Sequence, residues 1–258
     1  MQISVVTVSF NAARTIGATL NSILTQSLAP EHLVIDGGSR DGTAEIVRQM
    51  APNAVCISEQ DAGLYDAMNK GVALASGDYV GFLNADDVYA RPDALQQVHD
   101  RLVERPVDVL CGGIVMVRDS SPGRIVRSYR AAGFRPWQLR FGHMPPHPGV
   151  FVRRQLLLET PFRTDLRIVA DYAQMLSLLR RRDVKWAILD ATLVAMRIGG
   201  VSTSGLSANV HINAEILQVL RENNIAASKA LVWSKYLAKC AQFIGRPGDL
   251  PRGWRAAF

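Results

Sequence analysis

The chain has 258 residues, 48% of them hydrophobic, enough to bury the core of one large domain or of a domain with a small appendage. Twenty-nine Lys and Arg against 23 Asp and Glu leave a formal net charge of +6 and a sequence pI near 9.5, which suits anionic ligands or an anionic surface without saying which. The three cysteines, Cys56, Cys111 and Cys240, are odd in number and stand in no Cys-x-x-Cys or Cys/His spacing, which argues against a disulfide framework or zinc module and reads as free thiols in a reducing compartment.

Ile3 to Phe10 predicts a first strand; the run has no basic leader and is too short to cross a bilayer, so it does not read as a signal peptide. Arg14 to Gln26, with Ile16, Leu20, Ile23 and Leu24 at helical spacing, predicts the first helix. Leu33 to Asp36 is a second strand, Thr43 to Met50 a helix, Val55 to Ser58 a short third strand, and Ala62 to Ala75 a helix leading into the strand Tyr79 to Leu83. This alternation predicts an α/β fold with a Rossmann-like, mostly parallel central sheet flanked by helices. Strand ends at Phe10-Asn11, Asp36 and Asp86 then open on one edge, where open α/β sheets bind ligands.

From Pro106 the pattern changes. Val107 to Val117 and Arg124 to Tyr129 read as strands around a turn at Asp119 to Gly123, and Arg135 to Pro148, rich in Pro, Arg and aromatics with His143 and His147, reads as a loop over a site. Asp171 to Arg181 predicts a helix, Trp186 to Arg197 a last strand, and Gly199-Gly200 a joint. The organisation expected is one domain over 1–225, with a nucleotide-binding half at about 1–105 and an acceptor-side half at about 106–225, followed by a tail over 226–258. In that tail Trp233, Tyr236, Leu237, Cys240, Phe243 and Ile244 share one helical face. Lys229, Lys235, Lys239, Arg246, Arg252 and Arg255 against the single acid Asp249 give it a net +5 of the total +6. A basic amphipathic helix with aromatics reads either as a membrane-surface element or as a helix packed on the domain.

Two constellations carry chemistry. Asn84-Ala85-Asp86-Asp87 follows directly on the apolar run Tyr79 to Leu83, and ionised carboxylates at the end of a buried strand are costly unless a cation or hydrogen-bond donors meet them. Mg2+ or Mn2+ takes one or two carboxylates together with substrate phosphates, and Asp86-Asp87 supplies that count. Asp36-Gly37-Gly38-Ser39-Arg40-Asp41-Gly42-Thr43 sets a strand-end acid before a glycine turn and a helix start, with Asp41 placed to cap the helix. Asp36 can accept from a base N–H or a ribose hydroxyl, although alone the segment also reads as a plain capped turn. No Gly-x-Gly-x-x-Gly follows the first strand and no Gly-x-x-x-x-Gly-Lys-Ser/Thr occurs anywhere, so dinucleotide and P-loop readings lose their support.

Taken in order, these motifs resemble the family 2 glycosyltransferases of the GT-A fold, in particular bacterial enzymes of the exopolysaccharide and colanic-acid type. The resemblance rests on Val5-Val6-Thr7-Val8-Ser9-Phe10-Asn11, on Asp36 to Thr43, on Glu59-Gln60-Asp61-Ala62-Gly63-Leu64-Tyr65-Asp66-Ala67-Met68-Asn69-Lys70-Gly71 and on Asn84 to Asp87. It continues through Pro146-His147-Pro148-Gly149-Val150-Phe151, Ala170-Asp171-Tyr172 and Gly199-Gly200-Val201-Ser202. Ala170 stands where many relatives carry Glu, and the Gly199 segment where others carry a histidine.

What the resemblance implies is an inverting, metal-dependent hexosyltransferase. It would move a sugar from a nucleotide-diphosphate-sugar donor to a hydroxyl of a glycan or lipid-linked glycan in surface polysaccharide biosynthesis, with Mn2+ or Mg2+ as cofactor. By the same resemblance Asp36 contacts the nucleobase, Ser9 and Asn11 line that pocket, and Asp61 is a further nucleotide-facing acid. Asn84 belongs to the donor-binding set, Asp86 meets the ribose, Asp87 holds the metal that bridges the diphosphate, Lys70 neutralises phosphate, and His147 serves the donor or acceptor side. Asp171 takes the place of the general base, worth about 10² to 10⁴ in rate; opening a helix, it also makes a plausible N-cap. Arg197, His143 and His211 stand outside this set.

The expected location is the cytoplasm, peripheral at the inner face of the plasma membrane through the tail. A sugar nucleotidyltransferase is the alternative enzyme, but Asn11-Ala12-Ala13-Arg14 is a poor match for its glycine-rich basic loop. A catalytically idle module of the same fold, docking a membrane complex, is the alternative outside catalysis. Nucleic-acid binding is not expected, because the charge excess sits in one helix with no basic, aromatic-lined sheet to match it.

Overall fold

The computed structural model describes residues 1–118, 121–198 and 205–233. Strands whose consecutive residues are all apolar must be covered on both faces, and the first half of the chain supplies a helix after each. The order is β1 (Ile3–Ser9), α1 (Ile16–Leu24), β2 (Glu31–Asp36), α2 (Thr43–Met50), β3 (Val55–Ser58), α3 (Leu64–Leu74) and β4 (Tyr79–Phe82). This is the alternation expected, element for element. There follow β5 (Val88–Tyr89), α4 (Ala94–Glu104), β6 (Val109–Arg118), β7 (Ser121–Tyr129), β8 (Val150–Arg153), α5 (Arg154–Glu159), α6 (Ala170–Arg180), β9 (Trp186–Arg197), α7 (Gly205–Glu222) and α8 (Lys229–Trp233). The stretch expected as a loop before β8 is more ordered than that, because Pro136–Phe141 and His147–Gly149 form 3-10 helices.

Among the described residues the strands join one sheet in the order β3-β2-β1-β4-β8-β6-β9-β5, with β7 beside β6. β1, β2, β3, β4, β6 and β9 run one way, while β8, β7 and β5 run against them. β8 enters mid-sheet because Gly81 makes room for Phe151: a Cβ at Gly81 would stand 2.5 Å from that ring. Alternation divides the core. Val6, Val8, Leu33, Ile35 and Phe82 pack with α3, α6 and α7, while Ile3, Val5 and Leu83 pack with Ile23 of α1 and Leu95, Val98 and Leu102 of α4. Ile16 and Leu20 of α1 meet Val34 and the Val47 side chain of α2 on the same side as α4.

The parallel register aligns the strand ends. Ser9 lies across from Asp36, and Asp36 across from Ser58. Beyond β4 the chain stays beside β1, with Leu83 N donating to Val6 O at 3.0 Å and Ala85 N to Val8 O at 3.2 Å. Phe10, Asp36, Ser58 and the acid pair therefore share one edge of the sheet.

The start of the expected tail packs on the domain: Val232 of α8 is fully buried, and α8 lies against the 3-10 helix Pro136–Phe141. The rest of that tail, 234–258, and the Gly199 to Ser202 segment lie outside the described residues. No helix among the described residues is long and apolar enough to cross a membrane.

Candidate active site

Asp36 closes β2 fully buried, and donors from three other parts of the chain fill its acceptor positions. Ser9 Oγ donates to Oδ1 at 2.9 Å and Ser39 Oγ to the same oxygen at 2.6 Å. Ser39 N donates to Oδ2 at 2.9 Å and Ser58 Oγ at 2.7 Å. Burial alone would raise this carboxyl, but the hydrogen bonds from Ser39, Ser58 and Ser9 outweigh it and hold the pKa below the usual carboxylate value. Asp36 and Ser9 are thus engaged in fastening the ends of β1, β2 and β3 to the Gly37-Gly38 turn, where Gly38 takes φ +78°. Asn11 works the same way: it adopts φ 49°, its N–H donates to Ser39 Oγ at 2.7 Å, and its side-chain oxygen accepts from Arg40 N at 3.1 Å. Asp41 accepts from Ala13 N at 3.0 Å and Thr43 N at 3.1 Å, completing the stitching of the two loops.

The surface these loops present is made by other residues. Phe10 stands 68% exposed at the end of β1. A Cβ at Gly37 would come 2.9 Å from Asp61 Oδ2 and 3.3 Å from the Phe10 ring, so the glycine keeps open the gap between the ring and the carboxylate. Asp61 is held by Gly63 N, which donates to Oδ1 at 2.9 Å. Lys70 is already ion-paired, 3.0 Å from Glu59 Oε1 and 3.5 Å from Asp66 Oδ2, and its hydrogen bond to Glu59 raises its pKa.

The acid pair is built differently. Asp87 is 1% exposed; its Oδ1 accepts from Arg197 N at 3.2 Å, while its Oδ2 and the neighbouring Asn84 Oδ1 are buried oxygens without a hydrogen-bond partner. Burial, then the charge of Asp86, push the Asp87 carboxyl well above the usual range. Native chains satisfy nearly all buried polar atoms, so two orphaned hard oxygens beside a second carboxylate form a donor set that fits Mg2+ or Mn2+. No group of three or more His, Cys, Asp or Glu is placed to hold a metal ion among the described residues, so such an ion would complete its shell from phosphates and water.

Residues that the sequence motifs did not single out hold this loop. Thr19 of α1 donates to Asp87 O at 2.8 Å, Ser22 Oγ accepts from Tyr89 N at 3.1 Å, and Gln26 Oε1 accepts from Leu95 N at 3.0 Å, all from buried positions. Arg197, placed outside the expected set, ends β9 here and also donates from Nε to Asp86 O at 3.1 Å. The available signal was its place: a cation at the end of a strand parallel to those that carry the acids.

Asp171 lies in the first turn of α6, whose N-cap is Val169 without a side-chain cap, so the capping alternative for Asp171 does not hold. Its Oδ1 accepts from Tyr172 N at 2.8 Å and lies 3.4 Å from the Tyr65 hydroxyl. Burial raises its pKa against the pull of His147, Tyr172 N and Tyr65. His147 stacks on Phe82 with ring centroids 5.1 Å apart and meets Phe162 edge-on at 5.6 Å, and Phe162 in turn stacks on Tyr65 at 5.8 Å. Burial lowers the imidazole pKa, with the Asp171 carboxylate opposing. His147 therefore joins Asp171 in one half-buried aromatic cluster.

Residues 4–183 match the sequence profile of the family described as glycosyl transferase family 2. The chain is 33% identical over 176 residues to a PGL/p-HBAD biosynthesis glycosyltransferase of Mycobacterium bovis (strain BCG / Pasteur 1173P2), an alignment that covers 66% of each protein. In fold it is similar to Staphylococcus aureus TarS 1-349 crystallised with UDP-GlcNAc, at TM-score 0.63 and 18% identity over 95% of this chain and 72% of that one. It is also similar to glucosyl-3-phosphoglycerate synthase of Mycobacterium tuberculosis crystallised with Mn2+, UDP and glucosyl-3-phosphoglycerate, at TM-score 0.60 and 19% identity over 88% and 80% of the two chains. The sheet order, the strand-end acids and the profile match agree: the chain belongs to glycosyl transferase family 2 and has its GT-A fold.

Proposed function

We propose that the protein is an inverting glycosyltransferase that moves a hexose from a nucleotide-diphosphate-sugar donor to a hydroxyl of a glycan or lipid-linked glycan, in surface polysaccharide biosynthesis. The observation that carries the donor assignment is the pair of partnerless buried oxygens, Asp87 Oδ2 and Asn84 Oδ1, at the sheet edge beside Asp86. They, with Asp86, would hold a divalent ion, which when bound offsets the charge of the diphosphate leaving group. Arg197 stands beside them as fixed positive charge.

Phe10 and Asp61, facing each other across Gly37, form a slot for the nucleobase, the ring for stacking and the carboxylate for a base N–H. Asp36, Ser9 and Asn11 shape that slot from behind, since their polar atoms are engaged within the chain. Lys70, held by Glu59 and Asp66, reaches phosphate only by leaving an ion pair. Asp171 takes the proton of the acceptor hydroxyl as that oxygen attacks the anomeric carbon opposite the leaving diphosphate, and His147, packed beside it, lines the same acceptor side. Inversion follows from the single displacement.

The glycan acceptor and the inner face of the plasma membrane are the partners this reading requires, with 234–258 as the anionic-lipid contact. A chain ending at Trp233 should then lose binding to anionic vesicles while its nucleotide affinity is kept. The donor site is tested by calorimetric titration with UDP, GDP, dTDP and CDP, each with and without Mn2+, on the wild type and on Asp87→Asn. Selective, Mn2+-enhanced binding that the variant loses supports the reading and names the nucleotide; no binding to any of the four by folded protein rejects it.

A further inference from the structure

The turn that carries Asp171 is fixed from outside its own helix. Three consecutive backbone N–H groups ahead of α6 converge on one carboxylate, that of Glu215 in α7. Arg167 N donates to Oε1 at 3.1 Å, and Ile168 N and Val169 N to Oε2 at 3.0 and 3.1 Å. On the opposite side the Tyr65 hydroxyl of α3 donates to Ile168 O at 2.6 Å and approaches Asp171 Oδ1. N–H groups at the start of a helix have no partner within it, and a carboxylate that gathers three of them through charge-assisted bonds fixes the path of the backbone there. Both clamps act on the residues immediately before Asp171, and they come from elements distant in sequence.

We propose that Glu215 is a positioning residue for Asp171: by holding the N–H groups of 167–169 it sets where the carboxylate of the base stands. The proposal rests on the reading of Asp171 as the base. Glu215 is no second base, since both its oxygens are occupied by N–H donors. The contact is also not what keeps α7 on the domain. Ile216, Leu217, Val219 and Leu220 bury that helix in the core, Arg163 pairs with Glu222, and Arg180 Nη1 donates to Asn223 O at 3.0 Å. The groups that face Asp171 are Tyr65 from α3, His147 from the 3-10 turn and the Tyr172 N–H from its own helix; all three remain when Glu215 is changed.

The test is Glu215→Gln in the full chain. The amide keeps the volume, but one of its two terminal atoms becomes a donor, so at least one N–H of the turn loses its acceptor. Turnover, with an acceptor or as slow transfer to water, should fall about 10- to 100-fold, the scale expected when a reacting group is displaced by about an ångström. The KM for the nucleotide sugar and the Kd for the free nucleotide diphosphate should stay within twofold. In 13C carboxyl spectra the Asp171 resonance, assigned by its loss in Asp171→Asn, should move and titrate at a changed pH. Turnover within twofold of wild type, or nucleotide affinity falling in step with turnover, overturns the proposal. If the wild type transfers sugar to nothing, including water, the base reading fails; the carboxyl spectra still decide the placement claim, since an unchanged Asp171 resonance and titration in Glu215→Gln refutes it.

Discussion

Asp87→Asn removes the ionisable carboxyl and almost no volume, and its consequences differ in sign for stability and for function. In the folded chain the Asp87 carboxyl accepts from Arg197 N at 3.2 Å, has the Asn84 side chain beside it and one orphaned oxygen, and stands next to Asp86. Each buried polar atom left unpaired costs about 1–3 kcal/mol. An amide at this position cannot ionise, so the penalty that burial and the neighbouring Asp86 place on a charged carboxylate there is removed. Relief of about 1–3 kcal/mol corresponds to a rise in Tm of about 2–6 °C for a chain of this size. Thermal unfolding in EDTA reads that gain. The same melt with Mn2+ and the nucleotide that binds should stabilise the wild type by mass action and leave the variant where EDTA left it. A variant that melts below wild type in EDTA, or that keeps the full Mn2+-dependent stabilisation, would refute the assignment of these oxygens to a cation.

Three further outcomes are expected. Asp171→Asn should lower transfer by about 10² to 10⁴ while nucleotide affinity stays within twofold. Because burial raises the Asp171 pKa, the acid limb of the wild-type rate should lie above the usual aspartate range, and a rate that stays flat down to that range argues against a base at 171. Thr19→Val, which removes the hydroxyl that donates to Asp87 O, should cost about 1–3 kcal/mol of stability and weaken Mn2+-dependent nucleotide binding; unchanged binding rejects α1 as the support of the acid pair. His32, buried between strands with Nε2 3.0 Å from Thr7 Oγ1, has its pKa lowered by burial from 6.5 to about 4. Between those values the unfolded chain binds a proton that the folded chain refuses, so this contribution is intact above pH 6.5 and is lost as pH falls toward 4, by roughly 3 kcal/mol. His32→Gln should flatten that part of the stability curve, and a slope that persists in the variant assigns it elsewhere.

The amino-acid sequence by itself determined the parallel half of the fold and the edge on which the acids meet. β1, β2, β3 and β4 are short apolar runs separated by helical patterns, and a parallel sheet leaves the residues that follow its strands at one edge. Asp36, Asp86 and Asp87 therefore come to one edge of the sheet as soon as the register forms. α4 was not among the expected elements, although its Leu95, Val98 and Leu102 repeat at helical spacing. What each of these acids does depended on the tertiary structure. Asp36 reads as a ligand in sequence, and in space its carboxylate is engaged by Ser9, Ser39 and Ser58, which reach it from three different segments. Asp87 looks like its twin and keeps an unpartnered oxygen, because no donor other than Arg197 N and the Asn84 side chain approaches its carboxylate. His147 pairs with Asp171 through an aromatic cluster drawn from β4, α3 and the segment before α6, and Glu215 finds its three N–H partners 46 to 48 residues away. Strand and helix periods are set by each residue's own backbone and nearest neighbours, and so can be read in the sequence. Whether a buried polar atom ends with a donor, an acceptor or neither is decided by which distant segments the packed core brings against it, and only the folded chain contains that information.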